Sequence, residues 1–183
     1  MRLSAPRIDP IPPEAWPEEI QRYSQGTATG GVPNVIRTLA NHPELMRRWM
    51  VFANHILGKS TLEVRERELL MLRIGWLCQS VYEFGQHTQI AKRAGISDAE
   101  IKAVTVGPSD PSWGEFDRTL LTAVDELKAD GIVSDATWAA LGARYNTQQL
   151  MDVVFTVGQY NLVSWALNSF GVQLDEGVPG FPA

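Results

Sequence analysis

A single cysteine, Cys78, stands in 183 residues, which excludes an internal disulfide and any CxxC redox pair. No run of 18 apolar residues occurs, so no membrane-spanning helix is expected. Lys and Arg number 16 against 21 Asp and Glu, a formal net charge of −5, and no block of basic residues interrupts that balance. Phosphate backbones are held by clustered cations, so nucleic acid is not expected as a partner. The three histidines, His42, His55 and His87, share no HxxxH spacing, and no metal site is expected. The opening MRLSAPRIDPIPPEAWPEE holds five prolines and no apolar stretch of the kind a secretory signal needs, so the compartment expected is the cytoplasm. No segment alternates apolar and polar residues with β-branched enrichment. The fold is therefore expected to be all-α.

What is present is an ordinary globular composition, 44% hydrophobic and 20% charged, in a chain long enough to bury one core. Residues 1–33 carry prolines at 6, 10, 12, 13, 17 and 33 and the run from Gly26 to Gly31. They read as an extended arm with at most one short helix near 14–23, lying across the domain or across a neighbouring subunit. From Asn34 the pattern is helical. A short stripe through Val35, Ile36 and Leu39 precedes a helix over 43–57, whose Leu45, Met46, Trp49, Phe52, Ala53 and Ile56 follow the three-and-four spacing of an amphipathic face. Ser60 and Glu63 have the spacing of a capping box for the next helix, and Ser97 and Glu100 repeat it further on. Helices are expected over about 80–94, 97–104, 113–129, 135–145 and 147–170, with Gly95 and Gly171 as stops. The domain spans 34–174, and residues 175–183 form an irregular tail.

The chemistry concentrates on two neighbouring helices. Ser80, Glu83 and His87 are three and four apart, so they project from one face, and Tyr82 and Gln86 make a second polar pair beside them. A carboxylate next to an imidazole orients the ring and raises its pKa. The competing structural reading is that Ser80 and Glu83 only close a helix N-terminus as a capping box. The upstream run Glu63-Val-Arg-Glu-Arg-Glu68 reads mostly as a solvated face with pairs such as Glu63–Arg67. Glu68 is the exception, because its stripe continues through Met71, Leu72 and Gly75. A half-buried carboxylate needs a partner, and His87 is the candidate. Arg65, Arg67, Arg73 and Arg93 are all within reach of a substrate carboxylate.

The segments Arg65-Glu-Arg-Glu-Leu-Leu-Met-Leu-Arg-Ile-Gly75, Tyr82-Glu-Phe…His87 and Ala91-Lys-Arg-Ala-Gly-Ile-Ser-Asp-Ala-Glu-Ile101 resemble the carboxymuconolactone decarboxylase family. That all-helical family includes the alkyl-hydroperoxidase D-like proteins. The likeness is strongest over 60–104 and extends over 34–174, with Asp152-Val-Val-Phe-Thr-Val-Gly-Gln-Tyr-Asn161 similar to longer members. It implies a compact domain of about seven to eight helices. Peroxidase members carry a glutamate, a CxxC twelve to fifteen residues later and a histidine four beyond. Glu68, Ser80, Glu83 and His87 occupy those positions here, so serine and glutamate stand where the thiols would be.

The resemblance then implies the lactone-decarboxylase side of the family: a cofactor-independent decarboxylase, lyase or isomerase of a small carboxylated lactone or related enolisable acid. Glu68, Glu83 and His87 are its acid–base residues, and Ser80, Tyr82 and Gln86 its substrate contacts. A peroxidase using Cys78 and a non-catalytic ligand-binding or interaction protein are the rival readings. The family resemblance also implies a closed homo-oligomer, commonly a trimer or hexamer, in keeping with six tryptophans as candidate interface anchors; dimer, trimer and hexamer all stay open.

Overall fold

Ten residues of the central helix, from Glu66 to Gly75, are buried in succession, and everything else in the domain is arranged around that fact. The computed structural model describes residues 3–25 and 31–182. Among these residues the order is two short 3₁₀ turns, Pro13–Ala15 and Glu18–Tyr23, then α1 (Asn34–Leu39), α2 (Pro43–Gly58), α3 (Val64–Leu77), α4 (Val81–Arg93), α5 (Asp98–Val106), α6 (Glu115–Ala129), α7 (Asp135–Gly142) and α8 (Thr147–Phe170). No strand forms among them, so the all-α expectation holds. None of these helices is long and apolar enough to cross a membrane.

α3 packs against α4, α5, α6 and α8. A helix covered on all sides is normally apolar all round, yet this one carries a charged first turn. Its charges are matched across the bundle: Arg65 pairs with Asp117 at 2.9 Å and with Glu100 at 2.6 Å. Glu66 accepts from Tyr145 Oη at 2.6 Å and is bonded by Arg144. The expected solvated face is thereby corrected. Glu66 and Arg67 are buried together with Glu68, the expected exception, and Arg67 reaches Glu68 where local spacing pointed to Glu63, because this stretch of the helix is enclosed by its neighbours.

Helix ends follow local chemistry in most places. Ser97 and Glu100 form the expected capping box, Ser134 caps α7, and Asn146, just ahead of the helix expected from 147, caps α8 with Gln149 completing a box. Gly171 ends α8 in the left-handed region at φ 70°, which a side chain rarely adopts. The expected box at Ser60 and Glu63 does not form. α3 starts at Val64 without a side-chain cap, and Asp152 of α8 instead takes Ser60 Oγ, Thr61 Oγ1 and the Thr61 N–H, the last at 2.6 Å. A carboxylate accepts more strongly than a hydroxyl, and its approach from residue 152 is invisible to local spacing.

The N-terminal arm lies on this same chain. Trp16 and Ile20 are buried with Ala40 and Met46, and the Arg7 N–H donates to the Phe170 carbonyl at 2.8 Å. Residues 26–30 of the expected glycine-rich run lie outside the described residues. The tail also packs inward. Phe181 meets Trp76 and Phe84 edge-on, with ring centroids 4.8 and 5.2 Å away, and a side chain at Gly85 would collide with the Pro179 carbonyl. The tryptophans divide: Trp16 and Trp113 fill core positions, while Trp138 and Trp165 are exposed.

Candidate active site

α3 and α4 are joined by a turn of three residues, Cys78-Gln79-Ser80, in which Gln79 takes the left-handed conformation at φ 52°. The Ser80 N–H returns to the Gly75 carbonyl at 2.9 Å. This reversal lays α4 back along α3, and residues three and four apart on α4 then face the inner side of α3.

Glu68 and His87 meet there. His87 Nδ1 donates to Glu68 Oε2 at 2.6 Å, and His87 Nε2 lies 3.0 Å from Glu83 Oε1. On the far side, Arg67 Nη2 and Nε reach Glu68 Oε1 at 3.2 and 3.4 Å. The result is a continuous chain, Arg67–Glu68–His87–Glu83. Glu68 is wholly sealed at 0% exposure, while Arg67 keeps 7%, Glu83 4% and His87 5%. Burial alone would lower the His87 pKa, but the Glu68 and Glu83 carboxylates outweigh it and raise it to about 10. The ring is therefore an imidazolium at neutral pH, with an N–H toward each carboxylate.

Two residues that the sequence reading did not assign to the site complete it. Tyr160 of α8 sets its ring edge-on to His87, centroids 4.8 Å apart. Burial, then the negative charges of Glu83 and Glu68, push its phenol well above the usual tyrosine range, so the hydroxyl stays a proton-bearing donor. Arg67 was one of four candidate arginines, and the structure brings it alone to the cluster. Arg65 is taken by Asp117 and Glu100, Arg73 by Asp125 at 2.7 Å, and Arg93 is exposed at the other end of α4. Tyr160 carried one signal, its place inside the Asp152–Asn161 resemblance. Its distance in sequence concealed its partner.

Ser80 lies at the N-cap position of α4, fully buried, and makes no capping bond. Its Oγ has no hydrogen-bond partner. The capping-box reading of Ser80 and Glu83 is thus overturned, because Glu83 turns to His87. Tyr82 and Gln86 are carried away from the cluster. Tyr82 Oη donates to Asp175 Oδ2 at 2.6 Å and Gln86 Nε2 to the same oxygen at 2.5 Å, while the Asn34 N–H holds Asp175 Oδ1 at 2.8 Å. Burial, followed by the Asp175 bond, raises the Tyr82 pKa. The pair anchors the tail. One residue along a helix is about 100° of rotation, enough to separate 82 and 86 from 83 and 87.

His42 and His55 stay outside. His42 Nδ1 accepts from the Leu45 N–H, and His55 lies 3.6 Å from Asp152. No group of three or more metal-ligating side chains gathers among the described residues. Cys78 is buried at the end of α3, with Sγ 3.2 Å from Asn161 Oδ1.

Residues 43–125 match the family model described as Carboxymuconolactone decarboxylase family. Among solved structures, an uncharacterised peroxidase-related protein from Ralstonia eutropha JMP134, described as an alkylhydroperoxidase AhpD core, is similar with a TM-score of 0.80 at 21% identity, over 92% of this chain and 93% of that one. An uncharacterised peroxidase-related protein from Silicibacter sp. TM1040 gives a TM-score of 0.80 at 18% identity, over 99% and 95%. The debrominase Bmp8, solved in complex with 2,3,4-tribromopyrrole, gives 0.76 at 13% identity, over 92% and 91%. At these identities the likeness is one of fold. No match is found among curated proteins. Through its central helices, residues 43–125, the chain is thus similar to the carboxymuconolactone decarboxylase family, in line with the resemblance read from its sequence.

Proposed function

We propose that this protein is a cofactor-independent acid–base enzyme, a lyase or isomerase that moves a proton on a small enolisable carbonyl compound of the lactone or keto-acid type. The observation that carries the reading is the Arg67–Glu68–His87–Glu83 chain in place of a dithiol. Reducing a peroxide by the family's route needs a thiolate and a resolving thiol, and neither family position holds one. Proton transfer needs what the cluster has. Glu83 exchanges the proton with substrate, His87 fixes Glu83 in place, and Glu68, braced by Arg67, fixes the ring. Tyr160 supplies a donor for the negative charge that develops on the carbonyl oxygen. Loss of CO₂ and migration of a double bond share this protonation step, which is why lyase and isomerase stand together.

The reading is tested by incubating the protein with a panel of carboxylated muconolactones, unsaturated lactones and β-keto acids, following absorbance and CO₂. Turnover by wild type with loss in His87→Gln is expected. No turnover across the panel, or equal activity in both proteins, removes it.

We also propose a homo-oligomer. Met151, Phe155, Leu162 and Trp165 leave an exposed apolar stripe along α8, a larger apolar face than an isolated surface helix usually leaves to water. Light scattering should give a mass well above the 20.3 kDa of one chain; a monomer mass contradicts it.

A further inference from the structure

The charge balance of the cluster bears on the substrate class, given the acid–base reading above. Arg67 brings the permanent positive charge paired with Glu68, and Glu68 and Glu83 are two anions. With His87 as imidazolium the four side chains sum to zero, and with a neutral ring they sum to minus one. In neither state is there positive charge to spare. The other cations of α3 and α4 are committed elsewhere or exposed: Arg65 to Asp117 and Glu100, Arg73 to Asp125 and the Val104 carbonyl, Lys92 to Asp98. An anion entering a low-dielectric site beside Glu83 meets a like charge with no compensating cation.

Uncharged partners are matched instead. Among the described residues the Tyr160 hydroxyl makes no hydrogen bond, and Glu83 makes no hydrogen bond or ion pair beyond His87. Neither contributes a sealed, unpartnered polar atom as Ser80 does, and each keeps a small exposed fraction, 6% for Tyr160 and 4% for Glu83. One is a neutral donor suited to a carbonyl oxygen, and the other a carboxylate suited to a carbon-bound proton.

We propose that the site takes an uncharged enolisable carbonyl compound, such as an unsaturated lactone without a free carboxylate, and excludes carboxylates. The reaction is then isomerisation and not decarboxylation. Glu83 takes the proton from the carbon next to the carbonyl. The C–H pair becomes a C=C bond, and the carbonyl oxygen gains the charge under the Tyr160 O–H. Glu83 then returns the proton to the distal carbon as the pair flows back to C=O. No oxidant, reductant or water is consumed.

The test compares two probes, a butenolide and the same ring bearing a carboxylate, by calorimetric binding and by NMR of double-bond migration. Wild type should bind the carboxylate at least about ten-fold more weakly than the uncharged ring and isomerise the latter alone. In Glu83→Gln, with folding checked by circular dichroism, carboxylate binding should improve about ten-fold or more, because a like charge is gone. Carboxylate binding as tight as that of the uncharged ring, with turnover of the carboxylate, overturns the charge argument and leaves the acid–base reading standing. No binding or turnover of either ring removes both.

Discussion

His87 Nδ1 and Glu68 Oε2, nineteen residues apart in the chain, stand 2.6 Å apart between α3 and α4, with the carboxylate fully buried. The bond fixes the tilt of the ring, and with Glu83 on the opposite nitrogen it makes the histidine a bridge between two carboxylates. A folded-state pKa of about 10 against an ordinary value near about 6.5 means the folded chain holds the proton more tightly than the unfolded one. The stabilisation is therefore complete below about pH 6.5 and is withdrawn as pH rises through about 10. Nitrogen NMR of His87 should show both ring nitrogens protonated at pH 8, and the denaturant midpoint should fall between pH 7 and 10. A ring that titrates near 6.5 contradicts this.

Glu68→Ala leaves Arg67 and an imidazolium buried without their carboxylate. Breaking one member of such a buried pair costs about 3–5 kcal/mol, against about 0.5 kcal/mol or less for an exposed control such as Glu14→Ala. Equilibrium urea unfolding separates the two. Equal midpoints would mean that the cluster is not a structural unit.

Much of this arrangement was legible in the sequence, and the rest was hidden for identifiable reasons. Ser97 and Gly171 act through bonds within four residues, and their helix ends fall where spacing puts them. Glu68 was recognisable from its apolar stripe, and His87 from its spacing to Glu83. The Ser60 box failed because Asp152 reaches in from 92 residues away. Tyr82 and Gln86 sat plausibly beside the site until Asp175 claimed them from the tail, and Tyr160 came from a helix that local periodicity cannot place. Long-range acceptors, not local propensity, decided those positions.

Tyr82→Phe removes the O–H donated to Asp175 and the acceptor of the Val35 N–H. Hydrogen bonds to charged groups contribute about 1.5–3 kcal/mol, so the tail should loosen. Hydrogen exchange over 172–182 should quicken, with isomerase or lyase turnover changed by less than about three-fold. Loss of turnover comparable to that of His87→Gln would return Tyr82 to the chemistry.

Cys78→Ser tests the redox rival. Cys78 sits beside Asn161 and two positions before the first slot of the family pair. The substitution should leave acid–base turnover within about two-fold and any peroxide consumption at background. A peroxidase activity abolished by the change would revive the thiol reading.

The most direct measurement is deuterium exchange from D₂O into the carbon acid of an unsaturated lactone, followed by NMR for wild type and Glu83→Gln under the same conditions. If Glu83 is the proton-exchanging group of a thiol-independent site, wild type catalyses the exchange and the variant loses about a hundred-fold or more, the lower range of general acid–base contributions. Exchange at the wild-type rate in Glu83→Gln would contradict the account.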